Sequence, residues 1–244
     1  MTAISGPLAL LGSGEYTPAM DETDRALLAA LGRPHPRVAL IPVASGLEPG
    51  GPQHWNGMGV RHFDTLGVEP VPVPFATRAD ADTPAVLAAL RGADLFYFSG
   101  GNPEHLVESL RGTQAWALIS AAHTAGAAIA GCSAGAMMLG AHTIRVRAVA
   151  TGQPPRWIAA MGVVAPLVVM PHFDRMGSFI GAELFRSILA SAPVGAQLVG
   201  VDEDTALVRL SPGRPWQVSG RQGVSLIAPD GTVTVYHAGQ QLPV

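Results

Sequence analysis

Short apolar runs alternate along the chain with longer stretches in which apolar positions recur three and four residues apart. The runs Leu8–Leu11, Val38–Val43, Val71–Phe75, Asp94–Ser99, Ala127–Gly131, Val163–Met170 and Gln197–Asp202 predict strands. They carry apolar side chains at successive positions, so both faces of each strand are expected to be covered. Helical patterns fall near Asp21–Leu31, Pro84–Leu90, Glu104–Leu110, Gln114–Ala125, Ala134–Leu139 and Phe179–Ala190. Strand–helix alternation of this kind predicts a three-layer α/β/α architecture around a mostly parallel sheet. After Thr205 the pattern changes to short strands broken by turns at Ser211–Arg214 and Pro229–Thr232, which reads as a short antiparallel C-terminal edge. No repeat or long linker interrupts the pattern, so residues 1–244 are expected to form one α/β domain.

Ligands of such sheets bind beyond the carboxyl ends of the strands. The polar residues predicted there are Gly12–Glu15, Ser45, Gly100–Asn102, Ser133, His172–Asp174 and Asp202–Asp204. Almost all the candidate chemistry therefore falls on one edge.

The strongest local signal is Gly131-Cys-Ser-Ala-Gly135, set between a strand of small residues and an apolar helix. A sharp strand-to-helix turn needs glycine on both sides of its apex. It also puts the central side chain at a helix N-terminus, where free N–H groups favour developing negative charge. Ser133 is thus the candidate nucleophile. Cys132 lies one residue off the apex and reads as a small buried core residue. A second strand end, Ser99-Gly-Gly-Asn-Pro103, offers bare amides, so Gly100 or Gly101 is expected to supply one oxyanion donor and Ala134 the other, with Asn102 beside them.

Composition narrows the chemistry further. All 15 basic residues are arginine, which excludes a phosphate-loop lysine, a Schiff-base lysine and a Ser-Lys pair. The eight histidines show no metal-ligand spacing, and Gly12-Ser-Gly14 lacks the third glycine of a dinucleotide fingerprint, so neither metal nor cofactor is expected. A net charge of −3 without a basic run gives no reason to expect nucleic acid. No apolar run approaches the roughly 18 residues of a membrane span. A single cysteine, and a start that reads as strand and loop rather than secretion signal, suit a cytoplasmic protein. The composition leaves room for a homodimer.

Among the histidines, His172 ends the buried run Val168-Val-Met-Pro and so reaches the active edge, where a general base is needed. No Asp or Glu lies between Ser133 and His172. The acid that orients the base must come from elsewhere, and Asp202-Glu203-Asp204 follows the last strand of the sheet. Glu203 is the first choice, with Asp202 or Asp204 in reserve. An α/β-hydrolase-type esterase would instead need a histidine after the acid, and His237 is its candidate. A non-catalytic binding protein of the same fold is the third reading.

Five motifs stand in a telling order: Leu11-Gly-Ser-Gly-Glu15, Tyr97-Phe-Ser-Gly-Gly-Asn102, Gly131-Cys-Ser-Ala-Gly-Ala136, Pro171-His-Phe173 and Val201-Asp-Glu-Asp-Thr-Ala-Leu207. Together they resemble the cyanophycinase and peptidase E family of serine peptidases over nearly the whole chain. The resemblance implies a flavodoxin-like, type 1 glutamine-amidotransferase-like fold. It also implies amide-bond cleavage in a small peptide or amino-acid conjugate through an acyl-enzyme. By the same resemblance Ser133 is the nucleophile, His172 the base and Glu203 the acid, as in the cyanophycinase branch. Known members cleave next to aspartyl groups, and cyanophycinases follow their His-Phe with many arginines. Here Arg175 is the only nearby cation before Arg186. If Arg175 enters the cleft, an acidic substrate group fits; if it faces solvent, Phe173, Met176 and Phe179 favour a neutral or apolar one.

Overall fold

The computed structural model describes residues 5–146, 151 and 153–244. The first half of the chain forms β1 (Leu8–Leu11), α1 (Asp21–Ala30), β2 (Arg37–Ile41), α2 (Gly51–Thr65), β3 (Glu69–Pro72), α3 (Pro84–Leu90), β4 (Leu95–Phe98), α4 (Pro103–Leu110), α5 (Gln114–Thr124), β5 (Ala128–Cys132) and α6 (Ala134–Leu139). A hairpin of β6 (His142–Ile144) and β7 (Trp157–Ala159) follows. The second half forms β8 (Leu167–Met170), α7 (Phe173–Ile180), α8 (Ala182–Ala190), β9 (Gln197–Val201) and β10 (Thr205–Arg209). It closes with β11 (Trp216–Gly220), β12 (Gly223–Ile227), β13 (Val233–His237) and β14 (Gln241–Leu242).

The large sheet runs β14-β11-β10-β1-β5-β4-β2-β3, and its five strands from β1 to β3 are parallel. Alternate residues of each strand point to opposite faces. Leu8, Leu10, Phe96, Phe98 and Ile129 pack with Val86, Leu90, Leu106 and Ile119 of the helices on one side. Ala9, Leu11, Tyr97, Ala130 and Cys132 pack with Leu27, Leu28 and Phe63 on the other. This is the expected three-layer arrangement. Registry then decides what meets at the edge: Leu11 pairs with Cys132, and Phe98 with Gly131, so β1, β4 and β5 end side by side.

Strands β8 and β9 depart from the sequence reading. They pair in parallel with each other but belong to a separate four-stranded sheet, β13-β12-β9-β8. The reason is that β10 already occupies the free edge of β1, antiparallel, and leaves no edge for them there. The C-terminal strands are likewise shared between the sheets: β10, β11 and β14 extend the large one, while β12 and β13 extend the small one. The turn from Asp202 to Asp204 carries the chain from one sheet to the other.

Two helical expectations also change. Helix α2, rich in glycine and weak in propensity, was not foreseen; burial of His62 and Phe63 against the sheet holds it. The single helix expected at Phe179–Ala190 is two helices, divided at Gly181, whose φ of 85° ends the first.

Candidate active site

Ser133 stands at the turn between β5 and α6 with φ 51° and ψ −110°, a strained conformation for a residue with a side chain. Its N–H donates to Leu11 O at 3.0 Å and its C=O accepts from Met137 N at 3.0 Å, so both neighbouring elements clamp it. The glycines on either side are there for space. A Cβ on Gly131 would fall on the Gly135 carbonyl, and one on Gly135 would come within 2.5 Å of Phe98 O.

His172 follows β8 and opens α7 in the left-handed region, with φ 48° and ψ 37°. Its C=O accepts from Arg175 N and Met176 N, each at 2.9 Å, which fixes the backbone from which the ring projects. The ring bridges two partners. Nε2 lies 3.0 Å from Ser133 Oγ, and Nδ1 lies 2.9 Å from Glu203 Oε1. A carboxylate can only accept, so Nδ1 carries a proton toward Glu203 and Nε2 presents its lone pair to the serine hydroxyl. The parallel register of β8 and β9 pairs Met170 with Gly200, which brings residues 172 and 203 into reach just beyond the strand ends.

The three carboxylates of the 202–204 turn have separate duties. Glu203 alone meets the histidine. Asp202 accepts from Gly223 N at 3.1 Å, and burial first, with the Asp174 charge also contributing, pushes its carboxyl above the usual range. Asp204 is turned toward Arg221, 3.5 Å away, and takes a φ of 51°. The turn is pinned from outside: Glu203 N donates to Asp174 Oδ1 at 2.9 Å, and Gln222 Nε2 donates to Glu203 O at 2.9 Å.

Facing the serine is the loop after β4. A Cβ on Gly100 would stand 3.5 Å from Ser133 Cβ, so loop and turn are in contact. The amides of this loop are mostly committed. Ser99 N donates to Ile41 O, Gly100 N to Glu15 Oε1, and Asn102 N to Ala44 O. Gly101, with φ 140°, is packed so closely on Ala44 that a side chain has no room. Among the described residues the N–H groups of Gly101 and of Ala134, at the start of α6, donate to nothing. They belong to the residues that directly follow Gly100 and Ser133.

The profile of peptidase family S51 matches residues 8–211 of the chain. The protein belongs to peptidase family S51. A solved peptidase from an acI-B1 Actinobacterium is 33% identical, with 98% of this chain and 97% of that one covered and a TM-score of 0.86. A structure from Listeria monocytogenes EGD-e, described as a candidate peptidase E protein, shares the fold at 18% identity. There the TM-score is 0.59, with 89% of this chain and all of that one covered. No curated protein matches. Family S51 membership makes the chain a serine-type peptidase.

Set against this S51 framework, the sequence expectations divide. Ser133, His172 and Glu203 are brought together, and Gly101 and Ala134 lie with their amides free. Gly100 corrects the expectation of an oxyanion donor, because Glu15 already takes its N–H. Asn102 caps α4 instead of lining a cleft: its Oδ1 accepts from His105 N at 2.9 Å. Arg175 lies beside the carboxylate that meets His172, its Nε 3.7 Å from Glu203 Oε2. His237 lies on the outer strand β13, and the histidine that meets Ser133 Oγ is His172. Among the described residues no cluster of three or more His, Cys, Asp or Glu could hold a metal, and no helix is long and apolar enough to cross a membrane. The residues that sequence reasoning passed over are Glu15 and Gln222. Glu15 sat in a quoted motif at a strand end, which was the available signal; Gln222, in an exposed turn, gave none.

Proposed function

We propose that this serine-type peptidase hydrolyses an amide bond in a small peptide or amino-acid conjugate through an acyl-enzyme on Ser133. The observation that carries the reading is the unbroken line Ser133 Oγ, His172 Nε2, His172 Nδ1, Glu203 Oε1, with steps of 3.0 and 2.9 Å across the ring. Ser133 Oγ attacks the carbonyl carbon while His172 Nε2 takes its proton. Glu203 holds the ring and stabilises the imidazolium that forms. The carbonyl oxygen, now negative, is held by the Gly101 and Ala134 N–H groups. His172 returns the proton to the leaving amine, and water repeats the sequence to release the acid.

For the group next to the scissile bond, a neutral or apolar side chain is the better supported. Arg175 is engaged by Glu203, while Phe179 is 59% exposed with its ring 6.0 Å from that of His172. The test is direct. Wild-type protein treated with a fluorophosphonate should carry one adduct, mapped to Ser133 by mass spectrometry, and Ser133→Ala should carry none and turn over no peptide. Assaying β-aspartyl-arginine, α-aspartyl and neutral dipeptides side by side decides the substrate group. Selective cleavage of the aspartyl substrates would overturn the neutral preference and leave the serine mechanism intact.

A further inference from the structure

Glu15 is 6% exposed and forms no salt bridge among the described residues. A carboxylate so placed is costly unless its oxygens are hydrogen-bonded. Both are. Oε1 accepts from Gly100 N at 2.8 Å and Oε2 from Cys132 Sγ at 2.7 Å. The two donors come from the loop after β4 and from the end of β5, and each adjoins the site: Gly100 precedes the free amide of Gly101, and Cys132 precedes Ser133. Burial, reinforced by the Glu15 charge, pushes the Cys132 thiol up, so it remains a donor. The other end of the loop is held separately, by Asn102 N on Ala44 O at 2.8 Å. Gly101 therefore lies between two anchors, one of which is Glu15.

We propose that Glu15 is a positioning residue: by holding Gly100 and Cys132 at once, it sets where the Gly101 N–H stands relative to Ser133 Oγ. It touches no substrate. Its influence is on the oxyanion donor, and so on the transition state rather than on binding. An apolar residue would fill the same space but would leave the Gly100 N–H buried without an acceptor; peptide 99–100 would turn to find one and carry the adjoining peptide, whose N–H is that of Gly101, with it. This proposal rests on the reading of Ser133 as nucleophile.

The experiment uses fluorophosphonate labelling, which requires no knowledge of the substrate. Ser133 Oγ bonds to phosphorus, fluoride leaves, the hydroxyl proton passes to His172 Nε2, and the phosphoryl oxygen occupies the oxyanion position. The maximal labelling rate and the half-saturating probe concentration are measured for the wild type and three Glu15 variants. Glu15→Ala should lower the maximal rate by about a hundredfold, the scale of losing one oxyanion donor, with the half-saturating concentration unchanged. Glu15→Asp keeps the charge but is too short to reach both partners, and should lose at least about tenfold. Glu15→Gln keeps the length and an acceptor for Gly100, and should stay within about threefold of wild type by the same scale. That ranking, Gln above Asp above Ala, separates positioning from a simple need for negative charge, which would rank Asp above Gln. Global destabilisation would reduce the fraction labelled and leave the rate of the folded fraction alone. Wild-type rates in Glu15→Asp and Glu15→Ala, or Asp exceeding Gln, overturn the proposal while the Ser133 mechanism stands. If Glu15→Ala does not fold, the Asp and Gln pair decides. Wild-type protein that is never labelled at Ser133 overturns both.

Discussion

The guanidinium of Arg175 lies 3.7 Å from Glu203 Oε2, the carboxylate oxygen that His172 leaves free. The first cation after His172 in sequence is thereby paired with the carboxylate that His172 meets. Arg175 is 58% exposed, so water screens the pair and its worth is small, in the range of about 0–1 kcal/mol. Arg175→Ala should accordingly lower kcat/KM by no more than about fivefold, and by the same factor for acidic and neutral peptides. A loss confined to aspartyl peptides would mean that Arg175 leaves Glu203 to bind substrate.

Of three consecutive carboxylates only Glu203 meets His172. Glu203→Gln preserves shape but can present an N–H to Nδ1 and select the wrong tautomer, so kcat should fall by roughly two to four orders of magnitude. Asp204→Asn, which disturbs a half-exposed contact with Arg221, should cost less than about tenfold by the same yardstick of exposed pairs. Steady-state kinetics of the two variants in parallel settle the assignment, and equal losses would count against it.

Cys132 predicts a chemical contrast. It is wholly buried, and burial together with Glu15 holds its thiol protonated well above the ordinary range. Iodoacetamide at pH 8 should leave the native protein unmodified and alkylate it fully in denaturant. Cys132→Ser retains a donor to Glu15 and should fold as wild type. Cys132→Ala leaves Oε2 without its donor and should cost about 1–3 kcal/mol. Rapid native alkylation, read by mass spectrometry, would contradict the buried environment.

Asp24 is almost fully buried; its Oδ2 accepts from His62 at 2.8 Å while its Oδ1 has no partner among the described residues. Burial raises its carboxyl pKa, although the His62 hydrogen bond opposes the rise. Because the folded value lies above the unfolded one, the native state binds the proton more tightly. The stability linked to this group is full below about pH 4 and is lost as pH rises through the folded value. Asp24→Asn, permanently neutral, should therefore melt higher than wild type at pH 7, by about 2–4 °C for each kcal/mol recovered. The difference should shrink as pH is lowered toward 4. A gap that grows on acidification would reverse the sign of this argument.

The sequence by itself determined the elements whose pattern is local. The strands β1, β2, β4 and β5 were legible because fully buried strands appear as unbroken apolar runs. Ser133 was legible because a tight strand-to-helix turn admits only glycine at its flanks, and that requirement is written within five residues. His172 and the Asp202–Asp204 turn were legible as polar residues at the ends of apolar runs, aided by the absence of any acid between Ser133 and His172, but which of the three carboxylates meets the ring was not.

What only the tertiary structure decided depends on pairing between distant segments. Whether β8 and β9 join the large sheet or found a second one turns on which strand takes the free edge of β1, and apolar patterning does not encode edge occupancy. Helix α2 forms despite its glycines because packing on the sheet outweighs propensity. The commitment of the Gly100 amide, and hence the choice of Gly101 as the free donor, follows from a carboxylate 85 positions earlier in the chain. Arg175 turning to Glu203 is equally non-local. Hydrogen-bond partners are settled by which strand ends the register brings together, and that geometry exists only once the sheets have formed.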